Sequence, residues 1–322
     1  MIDNYSTTHR GEQPIRVLQY NLVDRFENTN SEFSELSKIV IDELGLSRGI
    51  QYHVGNAPLI VEKDKLPHTP YVTGYGNNRV IVIHETFLSY LWCVCYAIFV
   101  LLEEESGNRE SAGICKNNEC EFSENSKTAL TVFQYAVSLI NSFEVWNKKT
   151  MPNPEFYSCR DKRVIEKVNG LYVYAMNFVL CHEFAHVERG HFENLNPEGI
   201  GAGNILNYEK EADNRAIDLY LSGLQDENKY TGEIGLLIGV SSILFLSSKL
   251  VSNTHPYTDD RIDNAIQKVS IKSVDTCMGV AIIAYYLWGS IFGKDFVWPE
   301  HMRNVKEMYD FIRNQVEEER SN

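Results

Sequence analysis

The chain has 322 residues, 43% apolar and 23% charged, which excludes a disordered or collagen-like polymer. Its 30 Lys and Arg stand against 44 Asp and Glu, a formal charge of −14 that repels phosphate backbones and anionic headgroups at long range. The basic residues are scattered rather than patched, so nucleic acid is not an expected partner.

The opening run MIDNYSTTHRGEQPIR is polar and carries no secretory signal. Cysteines at 93, 95, 115, 120, 159, 181 and 277 make an odd count without a regular framework. Reduced thiols in a cytoplasm are the simplest reading, with CKNNEC (115–120) a solvated loop. Residues 15–19 read as a strand. Residues 31–46 read as a helix, with Phe33, Leu36, Ile39, Val40 and Leu44 at helical spacing. Short β-rich runs follow at 51–54, 59–62, 71–73 and 79–84, and Asn77-Asn78 predicts a hairpin over about 70–84. These runs predict a small antiparallel sheet rather than a βαβ array.

From residue 86 onward the pattern is helical: 86–105, 127–147, 161–193, 208–222, 231–251, 257–269, 275–291 and 299–319. Polar loops are expected at Ser106–Ser126 and Asn194–Asn207. No linker is visible, so one α+β domain over 1–322 is expected, β-rich in 1–85 and helical in 86–322. Thr86–Leu102 and Met278–Gly293 run without a charge but fall short of the about 20 residues that a membrane span needs. Helices buried in a large core fit them better, and a membrane is not an expected partner.

The strongest chemical signal is His182-Glu183-Phe184-Ala185-His186, a His-Glu-x-x-His motif inside an apolar helix. Positions i and i+4 lie one turn apart on one face, so both imidazoles can converge on one metal at Zn–N distances of about 2.0–2.1 Å. Glu183 then points beside the metal, where it can take a proton from bound water. The bland alternative is two hydrogen-bonded core histidines. A second run, Glu209-Lys210-Glu211-Ala212-Asp213, weakens that alternative. Glu209 would supply the third ligand, and Asp213, one turn on, could fix a ligating histidine's tautomer. Glu211 reads as an acidic residue of a helix start, favoured by the dipole. His191, five positions after His186, falls off the ligand face and is expected in a structural or surface role. Cys181 reads as a packed thiol, and Tyr71, Tyr75, Tyr172 and Tyr174 as core or cleft walls.

These motifs resemble the gluzincin metalloproteases, the thermolysin-like class. The closer similarity is to the clan of CAAX prenyl proteases and stress-response membrane proteases. Its pattern runs HExxHxxxxH, ExEAD, then Ser/Thr-His-Pro ending in Arg. Here that reads HEFAHVERGH, EKEAD and NTHPYTDDRI (Asn253–Ile262). YVTGYGNNRVIVIHETFL is similar to that clan's strand pair before its first core helix. The similarity covers 175–270 well and 70–105 loosely, and it leaves out the first 60 residues and an insertion at 103–160. Clan members near the membrane have true spans. A soluble family of this size and layout is the Lit-type phage-exclusion peptidases, which cleave a translation elongation factor.

The resemblance implies a mostly helical, zincin-like α+β domain with an HExxH active-site helix and a small N-terminal antiparallel sheet. It implies Zn²⁺ held by His182, His186 and Glu209, with Glu183 as general base. It places His255 beside the metal, as oxyanion donor or resting ligand, and Arg261 near a site carboxylate or in solvent. Asp213 and Arg261 are the expected supports behind the ligands. The expected activity is zinc-dependent endopeptidase hydrolysis of a protein or peptide in the cytoplasm; by family analogy that substrate is a translation factor. Two alternatives stand beside it: a non-catalytic, zinc-stabilised interaction or regulatory protein, and a normally inhibited phage-defence or toxin protease.

Overall fold

A computed structural model describes residues 13–29, 51–52, 69–75, 78–83, 85–111, 123–141, 144–191, 202–250, 255–299 and 304–321. After a 3₁₀ turn (Pro14–Leu18) come α1 (Gln19–Glu27), β1 (Gln51–Tyr52), β2 (Tyr71–Tyr75) and β3 (Asn78–Ile83). Then follow α2 (Glu85–Ser111), α3 (Glu124–Asn141), α4 (Lys162–Glu188), α5 (Ala202–Ser222) and α6 (Lys229–Ser241), which runs into a 3₁₀ segment (Ser242–Leu246). The remaining helices are α7 (Thr258–Lys268), α8 (Val274–Phe292) and α9 (Val305–Glu318).

The fold is mostly helical, as expected, but its first part differs. Residues 15–19 are not a strand. Ile15, Leu18, Leu22 and Phe26 repeat at steps of three and four, and all four are buried on one face of the 3₁₀ turn and α1. The sheet order is β1-β3-β2. β2 and β3 pair antiparallel, with Tyr71 opposite Val82 and Tyr75 opposite Asn78, so the predicted hairpin stands. β1, however, pairs parallel with β3. The sheet is therefore mixed rather than antiparallel, since β1 joins through a long connection and not a tight turn. The predicted helix at 31–46, the strand at 59–62 and the loop cysteines Cys115 and Cys120 lie outside the described residues.

α4 is the central helix. It is buried on nearly all sides from Leu171 to His186, and α1, α2, α5 and α6 pack on it. β2 and β3 also touch it, which carries the sheet to the same end of the molecule as the His-Glu-x-x-His motif. α6 approaches α4 at backbone range. A Cβ on Gly235 would lie 2.5 Å from Tyr174 Cβ, and one on Gly239 2.9 Å from the Ala175 carbonyl oxygen. Glycine at both positions is what lets the two helices meet. The described cysteines are free: Cys93, Cys95, Cys181 and Cys277 are buried and Cys159 is exposed.

Three helical stretches (Thr86–Ser106, Lys229–Leu246 and Val274–Phe292) are long and apolar enough to cross a membrane by length and composition. The charge-free runs alone are short, but the helices that contain them are longer. Of the most apolar part of each, 78%, 72% and 61% is buried inside the protein.

α9 and the 3₁₀ turn that follows it (Glu319–Ser321) grip the first two turns of α7. Arg313 Nε donates to Asp263 Oδ2 (2.9 Å) and Arg320 Nε to Asp259 Oδ2 (3.0 Å). Both arginines also reach Asp260, and the Arg320 guanidinium lies 4.2 Å from the Tyr257 ring centroid. Residues 255–261 are thereby held from behind.

Overpacking should show how tightly α6 is seated. Gly235→Val is expected to lower stability by about 1–3 kcal/mol in urea denaturation, by forcing α6 off Tyr174.

Candidate metal centre

His182 and His186 sit one turn apart near the C-terminal end of α4, and their Nε2 atoms lie 3.1 Å from each other. Glu209 reaches them from α5, with Oε2 3.3 Å from His182 Nε2 and Oε1 3.5 Å from His186 Nε2. One donor atom from each residue falls within 4.8 Å of the other two. Two ligands of one tetrahedral ion at about 2.0–2.1 Å lie about 3.3 Å apart, which matches the spacing of these donors. Glu209 Oε2 is buried and has no hydrogen bond of proper geometry, although His182 and His255 nitrogens stand 3.3 and 3.5 Å away. Two imidazoles and a carboxylate that converge in this way fit a divalent metal. Without a metal, the surrounding carboxylates favour the protonated form of His182. Burial alone would lower His182, but Asp213 and Glu209 outweigh it and raise its pKa to about 10. Those histidines in turn hold Glu209 far below the usual carboxylate range, against the opposing effect of burial.

α5 begins six residues earlier than the sequence pattern suggests, at Ala202 rather than 208. Ile205, Tyr208, Ala212 and Ala216 continue its inner face back towards the preceding glycines. Glu209 and Glu211 therefore lie two turns inside the helix, away from the N-terminal dipole that would explain an acidic start. Glu209 faces the imidazoles and Glu211 does not.

Behind the donors stands a second layer. His182 Nδ1 lies 3.0 Å from Asp213 Oδ1, in ion-pair range though off hydrogen-bond geometry, and Arg261 Nη2 donates to that oxygen at 2.6 Å. Both side chains of the Arg261–Asp213 pair are buried. Burial pushes the Asp213 carboxyl up, but the Arg261 charge and His182 more than reverse this and hold it below the ordinary value. Arg261 thus pairs with a site carboxylate rather than with solvent.

His191 lies outside the ligand cluster and is buried, a structural placement, but it does not turn away from His186. A continuous helix to 193 would turn it away from His186, but α4 ends at Glu188. Gly190 takes the left-handed conformation (φ 64°), a region open to glycine at no steric cost. The Gly190 N–H donates to Val187 C=O and the His191 N–H to His186 C=O, both at 3.0 Å, which is a Schellman ending. The chain folds back and sets His191 Nδ1 3.0 Å from His186 Nδ1, while His191 Nε2 lies 3.2 Å from Glu211 Oε2. The Val-Glu-Arg-Gly-His run carried that signal, since a glycine four residues after His186 is a helix stop.

His182, His186, His191, Glu209 and Arg261 line a cleft of about 500 Å³. Glu183 is in its wall, half-buried. Burial pushes the Glu183 carboxyl up to about 7, with Glu209 adding to the rise and His182 and Arg261 opposing it. His255 stands at the lip with its side chain 51% exposed, and burial of its ring lowers its pKa. Pro256 lies two residues before the start of α7. Tyr71 and Val72 of β2 line the mouth, and so does Tyr208, which the sequence reading passed over. Tyr172 and Tyr174 are core residues, and Cys181 is a packed thiol that burial pushes up to about 12.

A family model described as Peptidase U49 matches residues 81–281, more than half of the chain. The match runs through 103–160, a segment expected to lie outside the resemblance. No curated protein and no solved structure matches the chain.

Arg261→Met is expected to lower stability at neutral pH by about 3 kcal/mol in urea denaturation, because it leaves the buried Asp213 carboxylate with His182 alone to balance it. The loss should shrink at acid pH. Asp213 is stabilising while ionised, and protonating it removes that charge.

Proposed function

We propose that this chain, which belongs to the Peptidase U49 family, is a zinc-dependent endopeptidase of gluzincin type that cleaves a protein substrate. The observation that carries the reading is the convergence of His182, His186 and Glu209 at one point of an open cleft, with Glu183 beside them. When bound by those three residues, zinc would supply Lewis acidity that lowers the pKa of water and polarises the scissile carbonyl.

The chain's own residues do the rest. Glu183, whose carboxyl is drawn towards neutrality, takes a proton from the attacking water and returns it to the leaving amine. Asp213 holds the proton-bearing side of His182, and Arg261 keeps Asp213 ionised. His255, on the exposed lip, is placed to donate to the oxygen on which charge develops. β2 is the outer strand of the described sheet, and its first residues line the cleft, so an extended substrate can pair with its backbone. The five free cysteines among the described residues, and apolar helices mostly buried within the protein, support a cytoplasmic location.

Incubation of purified protein with a cell lysate, followed by mass spectrometry of new N-termini, should reveal cleavage that a chelator abolishes. Glu183→Gln should keep zinc and lose about 10²–10⁴-fold in rate. Full activity in that variant would remove Glu183 from the base role. Zinc uptake at neutral pH should release about one proton, the one that His182 holds in the metal-free chain. Calorimetry in buffers of differing ionisation enthalpy reads that proton. Affinity should fall as the pH is lowered.

A further inference from the structure

We infer that Glu211 and His191 form an outer hydrogen-bonded chain that fixes the tautomer of His186 and so tightens metal binding, as positioning residues and not as ligands. The inference rests on the metal reading of His182, His186 and Glu209.

His191 is buried, with 4% of its side chain exposed, and its ring stacks on Tyr208 at 4.6 Å between centroids and 20° between planes. Burial and stacking fix the plane of the ring, and a nitrogen contact at each end sets which way round it sits. Its Nδ1 faces His186 Nδ1 at 3.0 Å, and its Nε2 faces Glu211 Oε2 at 3.2 Å. Between two Nδ1 atoms one must donate and the other accept. In one arrangement His186 carries its proton on Nδ1, donates it to His191, and leaves the Nε2 lone pair directed at Glu209 and His182. In the other, His191 donates from Nδ1 and the neutral His186 carries its proton on Nε2, which closes the ligand position. Glu211 selects between them. A carboxylate only accepts, so it holds the His191 proton on Nε2 and leaves Nδ1 as the acceptor. The network thus assigns His186 the tautomer that a ligand needs.

The two ligating histidines are supported by different means. His182 has a carboxylate in direct contact, Asp213, which is sealed from water. His186 reaches its carboxylate through an intervening imidazole, and that carboxylate, Glu211, is 62% exposed. Removal of such outer partners typically weakens metal binding by about 10–100-fold.

The test is zinc affinity of the full chain, measured by competition with a chromophoric chelator. His191→Phe keeps an aromatic ring on Tyr208 but removes the acceptor, and should weaken zinc by about 10–100-fold. His191→Gln, whose amide oxygen can accept from His186, should recover part of that loss. Glu211→Gln, at an exposed position that does not threaten folding, should weaken zinc in the same direction. Arg215→Gln breaks an ion pair with Glu188 (2.7 Å) between the same two helices and should leave zinc affinity unchanged. Nitrogen-15 histidine spectra should show His186 protonated on Nδ1 and His191 on Nε2. Wild-type affinity in both His191→Phe and Glu211→Gln would overturn the inference alone. A wild-type chain that takes up no zinc would overturn the metal reading, and this inference with it.

Discussion

The central constraint is the burial of two imidazoles and a carboxylate against one another. Removing such groups from water costs several kcal/mol each unless they are neutralised in place. His182, His186 and Glu209 solve this by sharing a cation. Their donor atoms suit a divalent ion, and without one the neighbouring carboxylates favour protonation of His182. The rest of the architecture serves to hold that unfavourable group together. α4 is buried almost all round, so the imidazoles have little freedom. α5 brings Glu209 across, and glycines on α6 allow a third helix to close on α4 at backbone distance.

Charge is layered outward from that point. Asp213 lies behind His182, and Arg261 lies behind Asp213, so each buried charge meets its opposite. The segment 255–261 then contributes twice, once through His255 at the lip and once through Arg261 inside. A single stretch of chain thereby forms one wall of the cleft and also supplies the charge that balances the inner layer.

Much of the site was legible because its chemistry has a fixed helical spacing. His182 and His186 at i and i+4 must share a face, and Glu209 with Asp213 repeats that geometry on the next helix. The parts that were missed depend on where helices stop and start. Gly190, two residues past the end of α4 at Glu188, turns the chain back and returns His191 to His186, which an uninterrupted helical wheel cannot show. α5 starts before its polar run, so Glu211 is a partner of His191 rather than a dipole-favoured helix start. In the N-terminal part, Ile15 to Gln19 looks like a strand in a five-residue window. Only the longer repeat through Leu22 and Phe26 shows the helical face. The parallel pairing of β1 is a long-range choice that local pattern does not encode.

The wall formed by residues 255–261 is fastened by two clasps of unlike character. Arg261 with Asp213 is sealed from solvent, whereas the outer clasp is mixed: Arg320 holds the buried Asp259, and Arg313 and Arg320 together hold Asp260, which is 49% exposed. Dissolved ions reach the Asp260 contacts far more easily than the sealed ones. Rising ionic strength therefore loosens one arm of the outer clasp while its Asp259 arm and the inner clasp persist, so the wall yields to salt at one point and not along its length.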